Sequence, residues 1–395
     1  MRCLWLTLID PEPRHNGQLV YSGGLIGGAA EAGMEVHVVG HARPGRSRPL
    51  GEGADNCVWW LAGGELRSRA ASFASALPHM ASRARSRALD RILRQRLEEE
   101  HWDAIVFDGI SAGWALDAVQ RRYRGAAARP KIVYVSHNHE CSVRDEVARN
   151  HPVRPLRAAL RLDTMKVAAL ERRLTGYADL TTAITAEDRE LYLADRPDLQ
   201  VAVLPPGYAG PRIEHRLIDR TLPRRAVIVG SFEWIAKQLN LSEFIAIADP
   251  LFAAAGAQLQ VVGKGDPAFI QRMRRDVLAT EFTGTVKDIF AFMRQSRLAL
   301  VPERHGGGFK LKVLDYVFGR MPILAIGGSV AGMPLTDRQS ILYFRDPLAL
   351  ARGVLRVIDD FEQLNRIHNS AFDTCRDRFH WRRRGEELRE LVLAA

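Results

Sequence analysis

Short apolar runs alternate with stretches of helical period along almost the whole of this 395-residue sequence, and that alternation constrains its fold more than any other feature. Cys3–Ile9, Glu35–Gly40, Ala104–Asp108, Lys131–Ser136, Asp179–Thr185 and Val201–Pro205 read as strands, with helices over Val20–Ala32 and from Asp108 to Tyr123. A strand, a helix and a further strand make a βαβ unit, whose strands run parallel and are covered on both faces. After the Pro/Gly-rich segment Pro205-Pro206-Gly207-Tyr208-Ala209-Gly210-Pro211 the pattern begins again. Ala226–Gly230, Gln258–Gly263, Glu281–Thr283, Leu298–Pro302 and Pro322–Ile326 are its strands, with helices around Leu241–Ala254, up to Leu278, and over Leu311–Phe318. The expected architecture is α/β, with two doubly wound domains facing a cleft. The first covers residues 1–208, a linker 209–224, the second 225–375, and a closing segment 376–395. Length agrees, because a single core seldom grows past roughly 250–300 residues.

Apolar residues at 47% and charged residues at 26% are those of a globular chain, and the longest apolar runs fall well short of the ~20 residues of a membrane span. The N-terminal run Met1–Ile9 meets Asp10 and Pro11 at once, so a first buried strand is expected there, not a signal peptide. Cys3, Cys57, Cys141 and Cys375 form no metal-ligand spacing, which suits a reduced, cytoplasmic protein. A formal charge of +10 suits an anionic partner. Arginines 67, 69, 83, 85, 87, 91, 94 and 96 face a single acid, Asp90, between Leu66 and Leu97. Met80, Ala84, Ala88, Leu89, Ile92, Leu93 and Leu97 recur there at helical spacing, giving a basic amphipathic helix. Two readings of it stand: a solvated arginine face over a buried stripe, or a surface for an anionic bilayer at the inner membrane face. Arg144, Arg149, Arg154, Arg157, Arg161 and Lys166 form a second basic stretch in the same half. Neither has the aromatic interleaving of a nucleic-acid platform, so no nucleic-acid partner is expected.

In open α/β sheets ligands bind beyond the carboxyl ends of the strands. Gly306, Gly307 and Gly308 follow a strand and open a helix, where free N–H groups hold phosphate oxygens. Lys310 and Lys312 add charge for a diphosphate, and Asp315 one turn on can accept bonds from ribose hydroxyls; a plain glycine hinge with surface lysines is the alternative. Gly17, at a helix start after the loop Asp10–Gln18, again suits an anion, or is an ordinary strand-to-helix turn. His137 ends the strand Lys131–Ser136 with Asn138 and Glu140 beside it. A histidine with an apposed carboxylate is general-base or charge-orienting equipment, and a capping His-Asn pair is the alternative.

The run Gly306–Leu324 resembles the donor-binding signature of family 4-type (glycosyl transferases group 1), GT-B-fold glycosyltransferases, usually G-x-G-x-K-x-K-V-L-E-A-x-A-x-G-x-P-V-V. Val229–Trp234 with Lys237 and Asn240, Leu259–Gly265, and Phe282–Val286 resemble three further segments of that family in order and spacing. The resemblance implies two Rossmann-like domains and a retaining transfer of sugar from a nucleotide-diphosphate sugar to an acceptor. It puts the donor on Gly230, Ser231, Lys237, Gly263, Thr285, Val286, Gly306, Gly307, Gly308, Lys310, Lys312 and Asp315, with Gly17 reaching its phosphate. His137 and Glu140 become the catalytic groups, and Asn16 and Asn138 acceptor contacts, brought to the sugar by domain closure. Lysines and helix dipoles carry the leaving-group charge, so no metal or other cofactor is expected, in keeping with the missing Asp-x-Asp motif. Family habit and the basic first domain point to a lipid-linked or saccharide acceptor in surface-polysaccharide assembly. The tail Phe379–Leu393 resembles the family's closing helix, which crosses back to the first domain. Two departures mark the match: Gly307 stands where the family has the first glutamate of E-x7-E, and Asp315 replaces the second. Glu303 is out of register for the first. Another GT-B sugar-nucleotide enzyme, an epimerase or phosphorylase, and a non-catalytic nucleotide-sugar-binding subunit remain as alternatives.

Overall fold

Ala104–Asp108 is buried along its whole length, as a strand covered on both faces must be. A computed structural model describes residues 1–14, 16–44, 56–63, 72, 75–150, 153–304 and 308–395, without the side chain of Asn150. It divides into two units, Met1–Tyr208 with Phe379–Ala395, and Ala209–Arg378.

The first unit is built on seven parallel strands: β1 (Arg2–Ile9), β2 (Glu35–His41), β3 (Cys57–Ala62), β4 (Ala104–Asp108), β5 (Lys131–Val135), β6 (Leu180–Ala183) and β7 (Val201–Val203), in the order β3-β2-β1-β4-β5-β6-β7. The second has six: β8 (Arg225–Val229), β9 (Gln258–Val262), β10 (Thr280–Gly284), β11 (Leu298–Val301), β12 (Ile323–Ile326) and β13 (Leu342–Phe344), ordered β10-β9-β8-β11-β12-β13. Both are the doubly wound sheets expected. In each, the first strand is flanked on one side by the second and on the other by the fourth, so the winding reverses there, between β1 and β4 and between β8 and β11. That reversal opens a crevice at the carboxyl ends of those strands.

Two strands escaped the sequence reading. β3 and β13 are both edge strands, and β13 has only three residues, too few for periodicity to register. The basic helix is two helices, His79–Ala84 and Arg87–Glu99. Arg85 is extended between them, and the Ser86 side chain caps the second by accepting from Leu89 N–H at 3.2 Å. Their apolar stripe is spent on the core: Ala81, Ala84, Leu89, Leu93 and Leu97 pack with Trp102 and Phe107. Arg96 is buried, ion-paired to Glu99 and Glu100 and stacked 4.1 Å over Trp60. Among the described residues, the apolar stripe of these two helices faces the core, the arrangement of a solvated arginine face. Arg67 and Arg69 lie outside the described residues.

The helix Trp381–Ala394 lies on the helix Gly17–Glu31 with glycines at the crossing. A Cβ at Gly385 would stand 1.9 Å from the Gly28 carbonyl oxygen, and one at Gly24 2.2 Å from the Trp381 ring. The backbones therefore touch.

Candidate active site

β4 and β5 are neighbours in register, Asp108 beside Val135, so the residues that follow each strand emerge side by side. His137 Nε2 meets Asp108 Oδ1 at 2.6 Å. The Trp5 indole donates to the other oxygen, Oδ2, at 3.1 Å. Burial opposes ionisation of Asp108, but the His137 imidazole outweighs it, with Trp5 and Ser22 helping, and the carboxyl sits below its ordinary range. Gly109 takes a φ of +77°, and its backbone lies against the imidazole; a Cβ there would be 3.6 Å from the ring. Tyr21 meets the ring edge-on at 5.4 Å between centroids and is itself met by Trp381 at 6.0 Å. With Nε2 committed to the Asp108 carboxylate, the ring's N–H is oriented there and Nδ1 is the nitrogen left to face another partner.

The carboxylate opposite His137 is thus Asp108, which sequence reasoning missed, and not Glu140. Glu140 turns the other way: it accepts from Asn138 Nδ2 at 3.3 Å and pairs with Arg144 at 3.4 Å. The geometry withdraws the charge-orienting role from Glu140, because a carboxylate bound to Asn138 and Arg144 is not bound to the ring. Asn138 is half-buried. Asn16 is exposed and caps the helix Gly17–Glu31, its Oδ1 accepting from Leu19 N–H at 3.0 Å. Gly17 begins that helix, whose first turn carries no acid.

In the second unit a row of glycines lines the carboxyl edge of the sheet. Gly230 N–H donates to Val262 O and Gly263 N–H to Gly284 O, each at 3.0 Å. Gly263 has a φ of +131°, and a Cβ there would stand 1.8 Å from the Gly230 carbonyl oxygen. Only glycine lets these turns touch. Ser231 follows Gly230 and donates to Glu233 at 3.3 Å, while Thr285 and Val286 form the turn after β10. Gly308 has a φ of +74°. Gly306 and Gly307 lie outside the described residues, as does the loop that would show what replaces the first glutamate.

Beyond β11, Glu303 pairs with Lys312, and its Oε2 is buried with no hydrogen-bond partner among the described residues. Burial opposes its ionisation, but Lys312 and Lys310 hold it below its ordinary range. Lys237, near the start of the helix Ile235–Ala254, is lowered to about 8 by burial, with Lys312 pressing the same way and Glu303 against it. Lys237, Lys310 and Lys312 thus share one neighbourhood around a single buried carboxylate. Asp315, half-buried, sits in the first turn of the helix Lys312–Phe318, and the neighbouring Tyr316 hydroxyl accepts from Val229 N–H at 2.7 Å, tying that helix to the end of β8. Among the described residues no three His, Cys, Asp or Glu side chains come together to hold a metal ion, and no helix is long and apolar enough to cross a membrane.

Residues 223–360, most of the second unit, match the family model described as glycosyl transferases group 1. No curated protein matches the chain. Among solved structures, it is similar to sucrose-phosphate synthase from Thermosynechococcus elongatus (16% identity, TM-score 0.70), with 100% of each chain covered. It is similar also to WaaG, a glycosyltransferase involved in lipopolysaccharide biosynthesis (14%, TM-score 0.64, 100% of each chain). A third similar structure is HepE of Anabaena, in complex with UDP and glucose (12%, TM-score 0.62, 100% of each chain). The fold is GT-B.

Proposed function

We propose that this chain, with its glycosyl transferases group 1 domain on a GT-B fold, transfers a sugar from a nucleotide-diphosphate sugar to an acceptor hydroxyl, retaining the anomeric configuration and using no metal. The observation that carries the reading is the lysine cluster, Lys237, Lys310 and Lys312 around Glu303, beside the glycine row at the switch point of the second sheet. Such a site suits a diphosphate: backbone approaches closely, and three ammonium groups outnumber the one carboxylate. The base belongs near Thr285 and Val286 and the ribose on Asp315. In the reaction the bond between the anomeric carbon and the diphosphate oxygen breaks, and the lysines take up the charge of the departing nucleoside diphosphate. The acceptor oxygen bonds to the anomeric carbon from the face the diphosphate leaves, and its proton passes to the departing diphosphate oxygen. The His137–Asp108 pair, buried and oriented, serves the sugar or acceptor hydroxyls through Nδ1. HepE binds UDP, which makes uridine the first base to try.

A lipid-linked acceptor is part of the same proposal. Its support is a second feature of the first unit: Leu156, Leu162 and Met165 are exposed on the helix Arg154–Tyr177, among Arg154, Arg157 and Arg161.

The test is thermal stabilisation of the purified protein by UDP, GDP, ADP, CMP and dTDP sugars without added metal. A ligand held only by the native state must raise the midpoint. One clear responder is expected; silence across the panel overturns the donor site. His137→Ala should then lower turnover by about 10²–10⁴-fold while leaving nucleotide affinity unchanged. Loss of nucleotide binding, or full turnover, would count against the assigned role.

A further inference from the structure

Glu171 lies within the helix Arg154–Tyr177, flanked in sequence by Leu170 and Arg172, where a glutamate would ordinarily be a solvated charge. It is instead 3% exposed. Its Oε1 accepts from Glu140 N–H and its Oε2 from Cys141 N–H, each at 3.1 Å. These are the first two amides of the helix Glu140–Asn150, which have no partner inside that helix. Oε1 also accepts from the Tyr192 hydroxyl at 2.7 Å, with the Tyr134 hydroxyl 3.5 Å away. Tyr192 in turn is within reach of two groups that bracket His137: Ser136 Oγ at 2.7 Å and the Asn138 carbonyl at 3.1 Å.

We propose that Glu171 is a positioning residue, whose buried carboxylate caps the helix after His137 and, through the Tyr192 hydroxyl, sets the backbone that presents the His137 ring. The consequence for turnover rests on the glycosyltransferase reading; the cap itself does not. An ionised carboxylate suits this place because every group aimed at it is a donor, and the helix dipole favours its charge. When Glu171 gains a proton, that proton needs an acceptor, and neither amide can serve. The Tyr192 oxygen can, provided its own hydroxyl proton turns to Asn138 O. The Asn138 carbonyl, which also accepts from Ser136 Oγ at 2.5 Å, then has two donors in the protonated state and one in the ionised state. Burial pushes the Glu171 carboxyl up to about 7; the bond from Tyr192 opposes it, the charge of Glu140 adds to it, and the two amide bonds oppose it. The titratable groups facing it are Tyr134 from β5, Glu140 and Cys141 from the helix Glu140–Asn150, and Tyr192 from the helix Ala186–Asp195. The exchange therefore falls where an enzyme works.

The test uses the full chain and two variants, Glu171→Gln and Tyr192→Phe. Amide exchange at Glu140 and Cys141 is followed from pH 6 to 8.5, corrected for intrinsic rate. Wild type should gain protection several-fold as pH passes 7, and Glu171→Gln should have lower protection with no such step. Tyr192→Phe should keep the step. Release of nucleoside diphosphate, with UDP-glucose as the first donor probe, should show a kcat step at the same pH in wild type. That step should be absent in both variants, with KM for the donor within about twofold. Glu171→Gln exchanging like wild type would overturn the cap. Lost protection with an unaltered kcat profile would show a cap that does not position His137, and would overturn the proposal too. If Glu171→Gln does not fold, Tyr192→Phe decides: an unchanged kcat step refutes the relay. A wild type that turns over no nucleotide sugar defeats the glycosyltransferase reading, while exchange still judges the cap.

Discussion

Lys237 shows how a single residue's setting becomes a measurable property. Its ammonium is lowered to about 8 by burial, and Lys312 adds to the effect. A bound diphosphate reverses that balance by supplying opposite charge. Below pH 8 the lysine is charged before and after binding, so affinity is flat; above it, binding must take up a proton and weakens as pH rises. The dissociation constant for a nucleoside diphosphate, measured by calorimetry, should rise about tenfold between pH 7.5 and 9.5. Lys237→Met should bind more weakly and without that slope; a slope retained in the variant would assign it to another group. Asp108 gives the complementary case in the first unit. Asp108→Asn keeps the shape but loses the charge opposite His137, and should cost about 1–3 kcal/mol of stability by urea unfolding. Turnover should fall further than stability alone explains, because the ring no longer has its proton fixed on Nε2.

At the scale of elements, two glycines of positive φ carry different costs. Gly263 and Gly284 both have positive φ, but a Cβ at Gly263 would strike the Gly230 carbonyl, whereas one at Gly284 would meet nothing within 4 Å. Gly284→Ala should therefore cost only the left-handed strain, about 1–2 kcal/mol. Gly263→Ala adds a backbone collision and should cost about 3 kcal/mol or more, with loss of nucleotide binding. Equal midpoints for the two variants in thermal unfolding would refute the argument. These glycine turns were legible in the sequence because strand, turn and helix follow one another within a few residues. The doubly wound, parallel class was legible for the same reason, since βαβ units leave little choice of topology. The pair Asp108–His137 was not. Its members are 29 positions apart, and only the pairing of β4 with β5 brings them together. The local mark, an apolar run ending in Asp108-Gly109, is too common to single out. Glu171 was hidden more deeply, because its burial depends on three separate elements converging on it.

At the scale of the first unit as a whole, the last residues of the chain bear on the first helix and through it on the site. Gly28 and Gly385 let the closing helix approach the helix Gly17–Glu31 backbone to backbone. Trp381 then packs over Gly24 and Gly207 and reaches the edge of Tyr21, whose hydroxyl donates to Leu204 O at 2.7 Å and whose ring borders His137. A methyl at position 385 has no space 1.9 Å from the Gly28 carbonyl oxygen, so the helices must separate. Separation withdraws Trp381 from Tyr21 and loosens one wall of the His137 ring. Gly385→Ala should cost about 1–3 kcal/mol by overpacking and lower the thermal midpoint of this unit by several degrees. Its kcat should fall while nucleotide affinity stays within about twofold, because Lys237, Lys310 and Lys312 belong to the other unit. A helix crossing that mattered only for stability would leave kcat per folded molecule unchanged, which separates the two roles.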